Sequence, residues 1–471
     1  MTLARFPLSR SRLPSALLMA LLLGGCAIGP DYVAPSMELP TAFRHQDGWQ
    51  ATASLAEQPA PGAWWDIYRD ADLDRLLREV EQNNASLAEA EARWRQAIAL
   101  IGSARAAGLP TVGAGVSRSR TGGNTTTTRN VYGAELDIAW VPDLWGRVAR
   151  QREAAQADAQ AAQALLDAAR LALQLEAAQG YVRVRALDQH AALMARALTA
   201  YERSLQLTRR QYEAGFVARA DVIQAETQLQ SLRTQVSAVQ RQRTLEEHAL
   251  ATLAGSTPAQ WRLTPNDLPL PDAPAVPAAL PSALLIQRPD IAAAERQVAS
   301  ANARIGVAQS AWLPDLTLGA TGTLQAGGWQ ALWDAPTRVW SAGPALAATL
   351  FDGGTRRSVL DQTRAQYDER AAAWRSAVLL GVRETEDALA SLQSLSEQDA
   401  QQQELVRLAS ENEQVVTYRY EAGEITFLEV ATAQNLALQS RRNALDVQAE
   451  LLTASMRLVG ALGGGWQMPD S

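Results

Sequence analysis

The sequence predicts a mostly α-helical chain with a membrane β-barrel portion, organised as a tandem structural repeat. Three observations carry that prediction. Tyr212-Glu213-Ala214-Gly215 recurs as Tyr420-Glu421-Ala422-Gly423, 208 positions later, and self-similarity at a fixed offset marks a duplicated structural unit. Two stretches of about 70 residues, 144–214 and 355–422, contain few glycines and no proline. A helix of that length would span roughly 105 Å, more than a compact domain holds. Finally, four short segments alternate apolar and polar side chains at matching points of the two copies.

Composition narrows the remaining classes. The 471 residues are 47% hydrophobic and 20% charged, neither a disordered tail nor a polytopic helical membrane protein. After Leu23 no apolar run reaches the ~18 residues of a transmembrane helix. A single cysteine excludes a disulfide framework and a thiolate zinc site. The net charge is −7 and the basic residues, all arginine, are scattered, so nucleic acid is not an expected partner. His45, His190 and His248 fit no metal spacing and are expected at the surface or an interface. No nucleophile elbow, phosphate loop or dinucleotide fingerprint occurs, and no catalysis is expected.

From the start, residues 1–25 form a lipoprotein signal peptide. Arg5, Arg10 and Arg12 precede an apolar stretch at 13–23, and Leu23-Gly24-Gly25-Cys26 has the form of a lipobox. Cleavage would leave Cys26 as the first residue, carrying diacylglycerol and an N-acyl chain. Loss of the three arginines leaves 40 basic against 50 acidic residues, a net charge of −10. Ala27 after the cysteine, rather than an aspartate, favours the outer membrane. Residues 26–70 form an extended anchor-bearing segment. The first repeat occupies 71–255, with a β-hairpin at 111–140. A linker at 256–287 carries seven prolines, which suits an extended chain. The second repeat occupies 288–462, with a hairpin at 315–350, and 463–471 is a tail.

Within each repeat the order is the same: helix (71–107; 290–311), Leu-Pro pair, two strands, very long helix, turn, helix. Leu109-Pro110 corresponds to Leu313-Pro314 at an offset of 204, as does Leu87 to Ile291. The helix at 71–107 and that at 217–254, stacked end to end, equal one long helix. Val222, Ala225, Leu229, Leu232, Val236 and Val239 alternate spacings of three and four, the coiled-coil seam. In the second copy Ala431, Leu438, Leu445, Leu452 and Val459 form one column and Val430, Ala437, Ala444, Leu451 and Leu458 another, so each helix meets neighbours on two sides. In the strands, Tyr132, Ala134, Leu136, Ile138 and Trp140 alternate with Glu135 and Asp137. Leu316, Leu318, Ala320 and Leu324 do so, as do Trp340, Ala342, Leu346, Ala348 and Leu350; Val112, Ala114 and Val116 follow more weakly. Apolar-out, polar-in segments of about ten residues suit a transmembrane barrel. Four strands cannot close one, and an open edge cannot face lipid. Copies must associate, and 8, 12 or 16 strands are all compatible with the pattern.

These features together resemble the outer-membrane factor family of tripartite efflux systems, the TolC-like and NodT-type lipoprotein channels. The resemblance rests on Cys26, Gly29-Pro30-Asp31-Tyr32, Pro35, Trp64-Trp65, Asp72-Leu73, Asp143-Leu144-Trp145-Gly146-Arg147, Phe351-Asp352-Gly353-Gly354 and the two Tyr-x-x-Gly turns. It implies a homotrimer with a 12-strand barrel in outer-membrane lipid, continued by an α-helical barrel of coiled helices through the periplasm. The expected partners are a periplasmic adaptor protein and an inner-membrane efflux transporter, and the cargo small toxic compounds or drugs. It further implies that the turns bearing Tyr212, Gly215, Tyr420 and Gly423 form the adaptor-contact tip. Tyr420 and Asp221 would hydrogen-bond across the repeats in the closed gate, and Glu429 would form an acidic ring favouring cations. Thr432 stands where some relatives carry a second acidic ring, and Ile425 where some carry an arginine, so Leu428 is expected to share the closure. Two other roles fit parts of the sequence. Type I protein secretion differs only in the partner, and a periplasm-spanning structural tether would explain Cys26 and the heptads but not the strands.

Overall fold

The structure, a computed structural model, describes residues 28–38, 43–44, 63–124, 126–274, 288–334 and 336–464. The signal peptide, Cys26, His45 and the end of the tail lie outside the described residues. The chain divides into two compact units, the first Met1–Ser36, Arg93–Gln163 and Ala293–Trp374, the second Met37–Ala92, Ala164–Ala292 and Arg375–Ser471.

The first unit is built around one four-stranded antiparallel sheet, ordered β1 (Thr111–Gly123), β2 (Thr126–Trp140), β3 (Asp315–Ala326) and β4 (Thr337–Ala347). The two hairpins come from different repeats and join through β2 and β3, with Ile138 opposite Ala320 and Trp140 opposite Leu318. A register that pairs even positions with even positions keeps one face apolar across all four strands. Along one row it runs through Val112, Ile138, Ala320 and Ala342. The opposite face carries Asp137, Thr321 and Ser341, and it places Gly113 directly across from Asp137. A Cβ on Gly113 would lie 2.4 Å from the Asp137 carboxylate, so the glycine makes room for the charge. A one-turn helix, α6 (Ala331–Asp334), sits inside the second hairpin connection, a segment the sequence reading treats as a plain loop.

The second unit contains most of the helical mass. Helices α1 (Ala71–Asn83), α2 (Ala85–Ala106), α3 (Arg147–Glu213) and α4 (Arg219–Leu253) belong to the first copy, and α5 (Pro289–Ser310), α7 (Thr355–Glu421) and α8 (Phe427–Ala461) to the second. The long helices α3 and α7 are each 67 residues, about 100 Å at the α-helical rise. Their partners α4 and α8 are each 35 residues.

The expected single helix at 71–107 is broken. Asn84 leaves helical geometry at ψ 124°, and its side chain links two helix ends. Its Oδ1 accepts from Leu87 N (3.0 Å), capping α2, while its Nδ2 donates to the Leu253 carbonyl at the end of α4 (2.8 Å). One orphan group of each terminus is thereby paired. In the second copy Arg288 stands at the equivalent place, 204 positions on, and its Nη1 donates to the Ala461 carbonyl at the end of α8 (3.0 Å). Its other nitrogens meet Asp290 and Glu384, each at 2.8 Å.

A 3-10 turn, Trp64–Tyr68, packs Trp64, Trp65 and Tyr68 against Leu73, Leu77, Ala177, Tyr181, Leu250, Leu452 and Met456. Large rings with polar tips suit such a site because each tip finds a partner. Trp64 Nε1 donates to Gln174, and Tyr68 Oη lies 3.0 Å from Ser455. The start of the proline-rich linker is strapped down by charge. Arg243 donates to the Leu263 carbonyl and Arg185 to that of Thr264, both at 2.7 Å, and Asp188 takes Asn266 N–H at 3.1 Å.

Candidate functional site

Three places carry the chemistry expected of this chain: the sheet faces, the chain start, and the two helix turns.

Among the described residues the sheet has two unpaired edges, β1 and β4, and opposite faces of opposite character. Val112, Val116, Leu136, Trp140, Trp340 and Leu346 all stand exposed on the apolar face. At the hairpin end of that face Tyr132 meets Trp329 edge-on (6.3 Å between centroids), and Trp329 meets Trp333 (5.9 Å). At the helix end Trp140 donates its indole N–H to the Gly108 carbonyl (2.9 Å) and Trp145 to that of Pro314 (2.8 Å). Aromatic residues bordering an apolar band at both ends are the pattern of a membrane-crossing barrel wall. Among the described residues no helix is long and apolar enough to cross a membrane.

The chain start is seated in a socket within the first unit. Ile28 N–H bonds to the Trp145 carbonyl (3.1 Å). Buried Arg150 donates to the carbonyls of Ile28 (3.2 Å) and Gly29 (3.3 Å) and pairs with Asp31 and Glu153. Gly29 lies directly on Gly306, where a Cβ would come within 2.5 Å of the Gly306 Cα, and its φ of +112° is one that glycine adopts without strain. Asn302 closes the socket by donating to the Pro30 carbonyl (2.9 Å). Cys26 is two residues upstream of Ile28.

Both helix turns share one backbone form. Gly215 and Gly423 have φ of +79° and +78°, and the residues after them close back with Phe216 N to Gln211 O (2.8 Å) and Glu424 N to Arg419 O (2.9 Å). This left-handed closure satisfies helix-end carbonyls and explains the duplicated glycine. The next helix opens alike in each copy: Asp221 accepts from Ala218 N–H (3.1 Å) and Glu429 from Thr426 N–H (3.4 Å).

The site residues expected from sequence fall out as follows. Tyr420 is 2% exposed and packs on Phe427, its hydroxyl 2.8 Å from Thr208 Oγ1. The Tyr420–Asp221 hydrogen bond is not formed in this structure; Thr208 holds the phenol, and Asp221 is spent on its own helix start. Burial foremost, with the nearby Asp221 charge, raises the Tyr420 pKa against the lowering effect of the Thr208 bond. Leu428 and Thr432 share an exposed face with Glu429, Leu428 being 61% exposed. Tyr212 stands in solvent beside Phe216. His190, expected at the surface or an interface, is instead buried and bonded to Asp446 (2.9 Å); His248 is exposed. A polar belt lies just above the turns. Gln434 reaches Ser204 (3.2 Å), Tyr201 reaches Asn435 (3.1 Å), and Gln228 touches both Gln434 and Asn435 at 3.4 Å. Gln228, Gln434 and Asn435 lie outside the apolar columns, and nothing in the heptad pattern marks them.

Comparison with known proteins agrees with these faces. The family model described as outer membrane efflux protein matches residues 76–256 and 280–464, one segment per repeat. Nodulation protein T of Rhizobium leguminosarum bv. viciae is 28% identical over 97% of this chain and 94% of its own length. Outer membrane protein OprJ of Pseudomonas aeruginosa is 30% identical, covering 96% of this chain and 95% of itself. Among solved structures, the outer-membrane channel OprN superposes with a TM-score of 0.85 at 27% identity, covering 94% of this chain and all of that one. VceC of Vibrio cholerae does so at 0.79 and 27%, covering 87% and 100%. A match through both repeats, to relatives of nearly equal length, places this chain in the outer membrane efflux protein family.

Proposed function

We propose that three copies of this chain close a 12-strand barrel in the outer membrane and act as the exit duct of an efflux pump. The observation that carries this reading is the sheet: one face apolar from edge to edge, the other small and polar with Glu135 and Asp137, and both edges open. In lipid the edge N–H and C=O groups need strand partners, and closure by further copies supplies them. Closure turns the polar face inward around water. The helices of about 100 Å would continue the duct through the periplasm, with the Gly215 and Gly423 turns at its far end.

The duct works by passage, not by catalysis. The turns receive a periplasmic adaptor and, through it, an inner-membrane transporter. Tyr420, Asp221, Glu429, Leu428 and Thr432 lie where the tip would narrow, and opening there separates the second-copy turn from α3. Acylated Cys26, two residues before Ile28 in the sequence, anchors each copy to the inner leaflet. Small toxic compounds are the proposed cargo, in keeping with relatives named as antibiotic and toluene efflux pump outer membrane proteins.

The test has two parts. Purified protein in planar bilayers should show discrete conductance; a structural tether would show none. A photocrosslinker on a cysteine placed at Ala422, in living cells, should capture a periplasmic adaptor. Capture of an adaptor from a protein exporter would move the cargo to polypeptides.

A further inference from the structure

All three strand carboxylates share one face of the sheet and three of the four strand arginines the other, Arg129 standing with the carboxylates. The carboxylates Glu135, Asp137 and Asp315 all occupy odd positions, on the polar face. Arg118, Arg120 and Arg338 all occupy even positions, on the apolar face, and all lie toward the hairpin end. Arg118 is paired in register with Tyr132, Arg120 with Asn130, and Arg338 with Leu324. The apolar residues of β2 run from Trp140 to Tyr132, about 27 Å along the strand and roughly 20 Å across a bilayer at barrel tilt. Arg118 and Arg120 therefore sit at and just beyond the far boundary of the apolar band, and Arg338 one pair inside it, level with Ala134, near the depth where a lipid-facing charge is tolerated. Among the described residues none of the three forms a salt bridge to a carboxylate. Arg118 Cζ lies over the Tyr132 ring, 5.5 Å from its centroid.

Resting on the barrel reading above, we propose that these arginines form a binding site for the phosphate groups of the glycolipid in the outer leaflet. Barrel closure sets β4 of one copy beside β1 of the next. Arg338 from one copy then shares the outward face with Arg118 and Arg120 of its neighbour, giving one site at each of three seams. The hairpin end is the external end because the other end of the sheet continues into helices too long for anything but the periplasm. At that boundary the available anion is a glycolipid phosphate, and a guanidinium fork grips phosphate through two parallel N–H bonds. Tyr132, Trp329 and Trp333 mark the depth at which the phosphates lie. Each site would fasten a seam that strand pairing alone holds.

Native mass spectrometry of the full-length trimer, with defined lipids added, tests this. Diphosphoryl lipid A should stay bound, while dephosphorylated lipid A and phosphatidylglycerol should be lost. The triple variant Arg118→Gln, Arg120→Gln, Arg338→Gln should weaken retention about a hundredfold, taking each surface arginine as about a fivefold effect. Arg129→Gln, changed on the opposite face, should retain lipid A as the parent does. Should the triple variant not assemble, the Lys versions keep the charge, lose the fork, and should fall between. Equal retention of dephosphorylated lipid A or of phosphatidylglycerol would overturn the proposal, as would unchanged retention by the triple or Lys variants. Conductance measured alongside separates the two claims: a conducting trimer without lipid preference leaves the duct standing and removes the site.

Discussion

In the first copy the tyrosine of the Tyr-Glu-Ala-Gly turn stands 44% exposed, with Phe216 beside it at 82%; in the second, Tyr420 is 2% exposed under Phe427. The backbones match to within a degree of φ at the glycine, and both following helices begin on an acidic residue three positions in. The duplication therefore preserved the turn and diverged in what the turn presents. One loop leaves its rings exposed. The other uses its ring to hold α3, α7 and α8 together. The same division recurs at the helix junctions, where neutral Asn84 serves the first copy and charged Arg288 the second.

Replacing the two tyrosines probes this contrast most strongly. Tyr420→Ala should cost about 3 kcal/mol, the scale of emptying a buried aromatic site, whereas Tyr212→Ala should stay within about 0.5 kcal/mol. Urea midpoints of the folded protein read both, and equal shifts would erase the distinction. At the junctions, Arg288→Met should cost about 3 kcal/mol, because Asp290, Glu384 and the Ala461 carbonyl lose a buried partner. Asn84→Ala should cost nearer 1.5 kcal/mol, one cap and one carbonyl bond. Gly215→Ala and Gly423→Ala should each cost about 1 kcal/mol, alike in both copies, since the strain is in the backbone they share. Unequal losses would show that the turns differ in more than side chains. Tyr420→Phe should likewise cost about 1 kcal/mol, for the Thr208 bond. Its informative readout is resting conductance. A rise in Tyr420→Phe, Asp221→Ala above either single variant would make Asp221 part of the closure; a rise in Tyr420→Phe alone would leave the closure to Thr208.

Features set by local pattern were legible in the sequence. The alternation at Tyr132 to Trp140 fixed which face of β2 is apolar because the strand period of two leaves no third choice. The absence of proline between 144 and 214 let α3 be drawn nearly to its ends. The break at Asn84 was not legible: it follows from a carbonyl 169 residues away that needs a donor. The pairing of Tyr420 with Thr208, 212 residues apart, hid for the same reason, as did the burial of His190 against Asp446. Local sequence shows which groups want partners. Only the packed repeat shows which partner arrives first.

The paired lengths, 67 and 67, 35 and 35, carry one more consequence. A helix gains 1.5 Å and turns 100° with each added residue. Lengthening α3 by a single residue would rotate every side chain beyond that point away from its seam, while α7 kept its old phase. Only whole seven-residue steps, made in both long helices and in both their stacked partners, would preserve the contacts. The chain thus behaves as a ruler graduated in heptads. Helices of a different length could keep their contacts only by moving four of them one graduation together.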